Sequence, residues 1–161
     1  MEGQQLINAL CEALAGKLRG EGYHAVIPSA SERFFTVSEM DENGQSFTSN
    51  WSERHVAYAC GLGTFGLSRG LITQRGMASR FGSLVTDWQT EPTPRAYTQV
   101  YEYCTRCGRC AQRCPGGAIS LEEGKSHPLC LEYQKGILPQ MLPRFGCGLC
   151  QTGVPCEACK P

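Results

Sequence analysis

The run CTRCGRCAQRCP, residues 104–115, decides the fold of this 161-residue chain. Its cysteines follow the spacing C-x2-C-x2-C-x3-C-P, which is typical of a [4Fe–4S] cluster in bacterial ferredoxins. In two-cluster ferredoxins the fourth cysteine of the run, here Cys114, binds the other cluster. The run therefore predicts two [4Fe–4S] clusters, and each of them needs further ligands from outside the run.

The remaining ligands must come from cysteines that follow the run. Each cluster takes four thiolates, so the first cluster needs one more ligand and the second needs three. Residues 104–159 hold nine of the eleven cysteines, which leaves one to spare. The downstream candidates are Cys130, Cys147, Cys150, Cys156 and Cys159. The other two, Cys11 and Cys60, are isolated in the sequence, and we expect them to pack as small apolar side chains.

Zinc and disulfide bonds are the competing explanations for so many cysteines. Structural zinc favours two CxxC or CxxH pairs with a longer spacer, and a triple run followed by Cys-Pro fits that pattern poorly. Disulfides are disfavoured because the cysteine count is odd and the N-terminal sequence shows no export signal. Iron–sulfur ligation in a cytoplasmic protein is the interpretation that we carry forward.

Charge and hydropathy exclude two other classes of function. The chain has 15 basic and 15 acidic residues with no block of like charge, so we expect no direct nucleic-acid or membrane-surface binding. No apolar run reaches the roughly 20 residues that span a bilayer. We expect a soluble protein.

The first part of the chain carries helix and strand patterns. Residues 4–19 predict an amphipathic helix, and residues 23–27 predict a short strand. The apolar stripe of this helix comprises Leu6, Ile7, Leu10, Cys11, Leu14 and Leu18. A polar loop is expected over residues 38–50. A second helix is expected to begin with a capping box formed by Asn50 and Glu53.

Residues 61–95 complete this first part. GLGTFG, residues 61–66, is interpreted as a glycine-rich turn rather than a phosphate-binding loop, because it follows a helix instead of a strand. Strands are predicted at residues 71–73 and 82–87, and TEPTPR, residues 90–95, reads as a linker. The sequence thus predicts an α+β protein with an α/β region over residues 1–95 and a two-cluster ferredoxin-like domain over residues 96–161.

Several blocks taken in order resemble a known superfamily. They are ERHVAYACGLGTFGLSRGLIT (53–73), RFGSLVTD (80–87), CTRCGRCAQRCPGGAI (104–119), CLEYQ (130–134) and FGCGLCQTGVPCE (145–157). This order is similar to the epoxyqueuosine reductase and reductive dehalogenase superfamily, whose members pair a corrinoid-binding domain of nitroreductase-like fold with a two-[4Fe–4S] module. The resemblance implies cobalamin as a further cofactor, and it suggests a corrinoid or flavin contact for Cys60.

The resemblance also implies two ligand sets. One cluster would take Cys104, Cys107, Cys110 and Cys156. The other cluster, which lies close to the corrinoid in those enzymes, would take Cys114, Cys130, Cys147 and Cys150. Cys159 would be the free thiol, and an exchange between Cys156 and Cys159 stays open.

The chain departs from the superfamily in three respects. Only 52 residues precede Glu53, so we expect a partial nitroreductase-like layer with a shortened corrinoid region. The acid that donates a proton in epoxyqueuosine reductases would fall near Phe47, where no acid stands. The C-terminal helical repeats of those reductases would follow beyond Pro161. Because of these departures, the sequence alone does not decide whether the chain is an enzyme.

Three functions are compatible with the sequence. The first is electron transfer through two [4Fe–4S] clusters to or from a redox partner protein. The second is a compact corrinoid-dependent reductase in which the clusters reduce a bound cobalamin. The third is a structural role, in which clusters or zinc only hold the fold. A homodimer, or a subunit of a larger reductase, would complete a shortened corrinoid region.

Overall fold

The computed structural model describes residues 2–37, 48–144 and 146–161. The predicted loop at residues 38–50 falls largely outside the described residues, and the Phe47 position lies outside them entirely. In chain order the helices are α1 (Glu2–Gly20), α2 (Glu53–Ala59), α3 (Arg109–Gln112) and α4 (His127–Met141). The strands are β1 (Ala25–Val26), β2 (Thr36–Val37), β3 (Thr48–Ser49), β4 (Gly63–Phe65), β5 (Leu71–Thr73), β6 (Val85–Thr86), β7 (Ile119–Ser120) and β8 (Gly124–Lys125).

The described strands form four separate antiparallel ladders of two strands each, β1–β6, β2–β3, β4–β5 and β7–β8. In the β4–β5 ladder Gly63 pairs with Thr73 and Phe65 pairs with Leu71. The predicted glycine-rich turn is therefore partly wrong, because residues 63–65 form a strand in which Gly63 lies against the backbone of Ile72. The α+β class is confirmed, whereas the nitroreductase-like layer is not.

Helix α1 forms where the sequence predicts it, but its apolar stripe is only partly covered. Ala15 and Leu18 are buried, and Cys11 packs beside them against a small core that includes Ala25 and Ile27. In contrast, Leu6, Leu10 and Leu14 are 62%, 55% and 51% exposed. The helical period is confirmed, and the described residues leave the side of α1 that carries Leu6, Leu10 and Leu14 largely uncovered.

The start of helix α2 also differs from the prediction. Its N-cap is Ser52, which makes no side-chain capping bond. The Asn50 side chain instead holds the preceding chain: its Oδ1 accepts a hydrogen bond from the backbone N–H of Phe35, and its Nδ2 donates to the carbonyl of Arg33. Asn50 and Glu53 therefore do not form a capping box.

A core cluster joins the first part of the chain to the second. Ile72 and Met77 pack with Tyr97, Tyr103 and Val154, and all five are buried. The packed residues lie on both sides of the proposed boundary at residue 95, so the division into 1–95 and 96–161 stays a proposal from sequence. The cluster holds the cysteine run and the C-terminal segment, residues 146–161, against β5.

The C-terminal segment docks on the loop that follows β5. The Met77 N–H donates to the carbonyl of Cys156 at 2.8 Å, and the Ala78 N–H donates to the carbonyl of Glu157 at 3.1 Å. Gly76 has a φ of +82°, and a Cβ at this residue would overlap the Glu157 carbonyl. A glycine is therefore required at the point where the chain positions Cys156.

We predict that Gly76→Ala destabilises the protein by about 1–3 kcal/mol, because it combines backbone strain with this overlap. The substitution should also lower the iron content, since Cys156 is displaced. Urea unfolding and iron analysis measure the two effects. Gly16→Ala, at a position in α1 with open space around it, is the control and should be neutral or stabilising. Unchanged stability of Gly76→Ala would contradict the proposed docking.

Candidate functional site

Four cysteines from two distant parts of the chain line one small cavity. They are Cys104, Cys107, Cys110 and Cys156, and Met77 and Ile72 line the same cavity. Three of these thiols pack against the shared core, whereas Cys107 is exposed. The Cys156 Sγ also lies 3.2 Å from the Sδ of Met77. The structure thus brings together the first predicted ligand set.

The cysteine run brings its three thiols to the small cavity because two of its residues adopt left-handed backbone conformations. Arg106 and Gly108 have φ values of +53° and +74°, in the left-handed region. Gly108 adopts this conformation readily because it has no Cβ, and it is the N-cap residue of α3. The two reversals turn the chain between successive cysteines, and the one-turn helix α3 then carries Cys110. The regular spacing of Cys104, Cys107 and Cys110 therefore produces a loop that surrounds the small cavity.

Burial and mutual repulsion disfavour thiolates at this site. Burial, with smaller contributions from the neighbouring Cys104, Cys110 and Cys107, raises the pKa of the Cys156 thiol to about 11. Burial also raises the pKa of Cys110. Both shifts favour the protonated thiol at neutral pH. Metal binding must therefore release protons from these thiols. The thiolate forms are expected only when iron is bound.

The second set of four cysteines lines a much larger cavity of about 1100 Å³. Cys114 follows α3, Cys130 lies on α4, and Cys147 and Cys150 belong to the C-terminal segment. Burial raises the pKa of the Cys150 thiol, Lys125 lowers it, and Cys130 and Cys114 raise it. Cys114, Cys130 and Cys150 therefore lie near one another, and Cys147 lines the same cavity.

Polar groups contact the sulfur atoms of the second set. The Ala118 N–H donates to Cys114 Sγ at 3.3 Å, and the Gln134 side chain donates to Cys130 Sγ at 3.0 Å. Hydrogen bonds to ligand sulfur tune the potential of iron–sulfur clusters. Gln134 was not singled out from the sequence, although its place four residues after Cys130 on a helix is a usable signal.

The two sets lie close to one another. The charge of Cys150, from the second set, contributes to the raised pKa of Cys110, from the first. Arg113, between Cys110 and Cys114, donates from Nε to the carbonyl of Leu149 at 3.2 Å. The cysteine run and the C-terminal segment are thereby joined at the junction of the two sets.

The donor chemistry of both sets fits a [4Fe–4S] cluster, which is held by four cysteine thiolates. Among the described residues, no three His, Cys, Asp or Glu side chains converge as ligands of a single metal ion would. A cubane spreads its four iron atoms over its corners, so its ligands surround a space rather than a point. The absence of such a group among the described residues therefore concerns sites for a single ion, such as zinc, and not sites for a cubane.

The large cavity extends from the second cysteine set to helix α1 and the first turn of α2. Leu6, Ile7 and Leu10 line its α1 side, and Glu53 lines it from α2. Both carboxylate oxygens of Glu53 are buried and have no hydrogen-bond partner among the described residues. The apolar wall on the α1 side fits a large ligand that has apolar faces, such as a corrinoid.

The remaining cysteines lie outside both sets. Cys159 is exposed, with its Sγ 3.5 Å from the carbonyl of Pro155. Cys60 is exposed at the C-cap of α2, so the expectation that it packs in the core was wrong. Cys11 is half-buried, lines the α1 side of the large cavity, and stands 2.6 Å from the position of a Cβ at Gly82.

Comparisons with known proteins agree with the iron–sulfur interpretation. Residues 97–120 match the family model of the 4Fe-4S binding domain. The chain is 38% identical over 69 residues to tetrachloroethene reductive dehalogenases of Desulfitobacterium hafniense and Dehalobacter restrictus. The match covers 42% of this chain and only 12% of each of those proteins. No solved structure matches.

These findings identify the general class of the protein. The chain is an iron–sulfur protein with a 4Fe-4S binding domain at residues 97–120. Within the described residues, no helix is both long enough and apolar enough to cross a membrane. The number of clusters and the ligand sets remain predictions, and membership of the epoxyqueuosine reductase superfamily is not confirmed.

The two C-terminal cysteines provide a matched test of the ligand sets. Cys156→Ala should remove one cluster and about half of the iron, because each cluster takes four thiolates. Cys159→Ala should retain both clusters. Iron and sulfide analysis of anaerobically purified variants measures the difference. Full iron content in Cys156→Ala, or loss of a cluster in Cys159→Ala, would overturn the assignment of Cys156.

Proposed function

We propose that the protein transfers electrons through two [4Fe–4S] clusters, between a redox partner protein and a second redox site. The observation that supports the proposal is that eight cysteines line two cavities, four in each. Bound clusters would accept and release single electrons. Support also comes from the family match over the cysteine run.

The two sets differ in their access to partners. Cys107, in the first set, is exposed, and we propose that the partner protein exchanges electrons at this face. The second set lines the large cavity instead. The proximity of Cys110 and Cys150 would keep the step between clusters short. The proposed direction is therefore from the first set to the second and into the cavity.

Cationic side chains would stabilise the negative charge of the second set. Lys125 acts on the Cys150 thiol and favours its thiolate form. Burial lowers the pKa of the Arg54 guanidinium, and Cys150 raises it. The guanidinium is fixed by a 2.7 Å hydrogen bond from Nη1 to the Arg69 carbonyl. Positive charge near a cluster favours its reduced form, which carries one more electron.

A second candidate function is a compact corrinoid-dependent reductase of the epoxyqueuosine reductase or reductive dehalogenase type. Two observations favour it: the cavity of about 1100 Å³ beside the second cysteine set and the partial match to proteins named tetrachloroethene reductive dehalogenase. A bound cobalamin would supply the reactive metal for substrate reduction. On this proposal the first part of the chain is a partial nitroreductase-like layer, completed by a second copy or by a larger reductase.

Metal analysis of anaerobically purified protein separates these functions. Two clusters require about eight iron atoms per chain. We expect this iron content, together with cluster absorption that bleaches when dithionite is added. About one cobalt per chain in addition would support the reductase, and its absence would favour the electron carrier. Stoichiometric zinc in place of iron would overturn both proposals and support a structural role.

A further inference from the structure

A side-chain amide on α4 donates a hydrogen bond to one of the predicted cluster ligands. Gln134 Nε2 lies 3.0 Å from Cys130 Sγ, and both side chains are half-buried. The two residues are four apart on the helix, so they lie on the same face of it. Long side chains on a helix point back toward its N-terminus, which is the direction from Gln134 to Cys130. Helix geometry therefore favours this contact.

Sulfur is an unusual acceptor for an amide. A neutral thiol accepts hydrogen bonds only weakly. A cysteine sulfur that binds iron is a thiolate, and hydrogen bonds to a charged acceptor are roughly twice as strong as bonds between neutral groups. Partial burial strengthens the interaction further, because less water competes for the donor. The Gln134 bond is therefore most favourable when Cys130 is a cluster ligand.

Packing holds α4 beside another part of the second cysteine set. The Tyr133 side chain lies so close to Gly116 that a Cβ on this glycine would stand 2.7 Å from the Cβ of Tyr133. At the start of the helix, the Ser126 side chain accepts a hydrogen bond from the Leu129 N–H. These contacts fix the helix against the segment that follows Cys114.

The Gln134 bond distinguishes the second cysteine set from the first. Backbone N–H groups act on both sets. The Ala118 N–H donates to Cys114 Sγ at 3.3 Å, and the Ala111 N–H partly offsets the effect of burial on the pKa of Cys110. Among the described residues, no side-chain amide donates to a cysteine of the first set. A substitution at Gln134 therefore changes the hydrogen bonding of one set alone.

A donor to ligand sulfur acts on the two oxidation states of a cluster unequally. Reduction adds one electron, and part of the added negative charge lies on the cysteine sulfur atoms. The N–H group is attracted more strongly to the more negative sulfur, so it stabilises the reduced state more than the oxidised state. Hydrogen bonds to sulfur raise the reduction potential for this reason.

We propose that Gln134 raises the reduction potential of the second cluster by donating its amide N–H to Cys130 Sγ, and that it thereby favours electron flow from the first cluster to the second. The inference rests on the proposed electron transfer, and it assigns a residue that makes one direction favourable. Gln134 transfers no proton in this role.

Gln134→Met tests the inference, because methionine has a similar length and no N–H donor. Anaerobically purified protein is titrated with reductant, and the clusters are followed by electron paramagnetic resonance. The equilibrium constant for one-electron reduction of the second cluster should fall about threefold to tenfold, the size of one hydrogen bond. A tenfold change corresponds to about 59 mV for a one-electron couple. The value for the first cluster should change by less than about twofold.

The same titration in a Cys156→Ala background assigns the shift to a cluster. This background is expected to keep the second cluster alone, so the remaining signal should show the full effect of Gln134→Met. Gln140→Met is the matched control, because Gln140 is an exposed residue on the same helix. It should leave both potentials unchanged. Gln134→Lys supplies N–H donors again and should return the potential to the wild-type value or above it.

Iron content separates this role from a purely structural one. Gln134→Met should bind as much iron as wild type. If it binds less, Gln134→Leu takes its place in the titration. Loss of iron in both variants would show that Gln134 serves assembly of the cluster, and it would overturn the inference.

Resonance Raman spectroscopy gives a second readout of the hydrogen bond. A donor to ligand sulfur weakens the bond between that sulfur and iron. A stretching band of the iron–cysteine bonds should therefore move to higher frequency in Gln134→Met. Transfer into D₂O should shift this band in wild type and should shift it less in the variant. An identical band and an identical isotope shift in both proteins would contradict the proposed bond.

Equal potentials in wild type and Gln134→Met, or an equal shift caused by Gln140→Met, would overturn the inference. Two reducible clusters whose potentials do not depend on Gln134 would refute it and leave the electron-transfer proposal standing. A protein that holds the second cluster alone, with a potential that depends on Gln134, would refute transfer through two clusters and leave the Gln134 assignment standing. Absence of iron from the second set would overturn both.

Discussion

Backbone hydrogen bonds between the C-terminal segment and the loop after β5 are the constraint on which both cysteine sets depend. The N–H groups of Met77 and Ala78 bind the carbonyls of Cys156 and Glu157, so the position of Cys156 does not rely on its own thiol. The same segment carries Cys147 and Cys150 to the second set. Anchoring this one segment therefore brings the remote cysteines to sites that the cysteine run begins.

The cost of this arrangement is electrostatic. Burial raises the pKa values of Cys110, Cys150 and Cys156, and neighbouring cysteines add to the effect. The polypeptide holds the thiols together without providing enough positive charge to ionise them. Iron supplies that charge when it binds, so assembly of the clusters and stabilisation of the C-terminal segment are expected to be linked.

Sequence patterns predicted the local features well. The cysteine spacing identified the 4Fe-4S binding domain, and helical periodicity located α1, because both signals depend on residues close together in the chain. Strand β4 was not predicted, because the glycines of GLGTFG have a low strand preference. The strand forms there by pairing with β5. The grouping of cysteines into two sets came from the resemblance, because spacing alone leaves several pairings open.

Sequence patterns did not predict the large cavity. Glu53 looked like part of a capping box with Asn50, but the Asn50 side chain bonds to the backbone of Phe35 and Arg33 instead. The sequence placed Leu6 and Leu10 on an apolar face, but periodicity shows that a face is apolar without showing what covers it. The structure shows that Leu6 and Leu10 line the large cavity.

The central claim is that the chain holds two neighbouring [4Fe–4S] clusters, and magnetic spectroscopy tests it most directly. In dithionite-reduced protein enriched in 57Fe, we expect Mössbauer spectra with all of the iron in cubanes. Electron paramagnetic resonance should show broadening from two interacting reduced clusters, because Cys110 and Cys150 lie close together. A single isolated cluster signal with half of the iron unaccounted for, or protein in which zinc occupies the cysteines, would contradict the account.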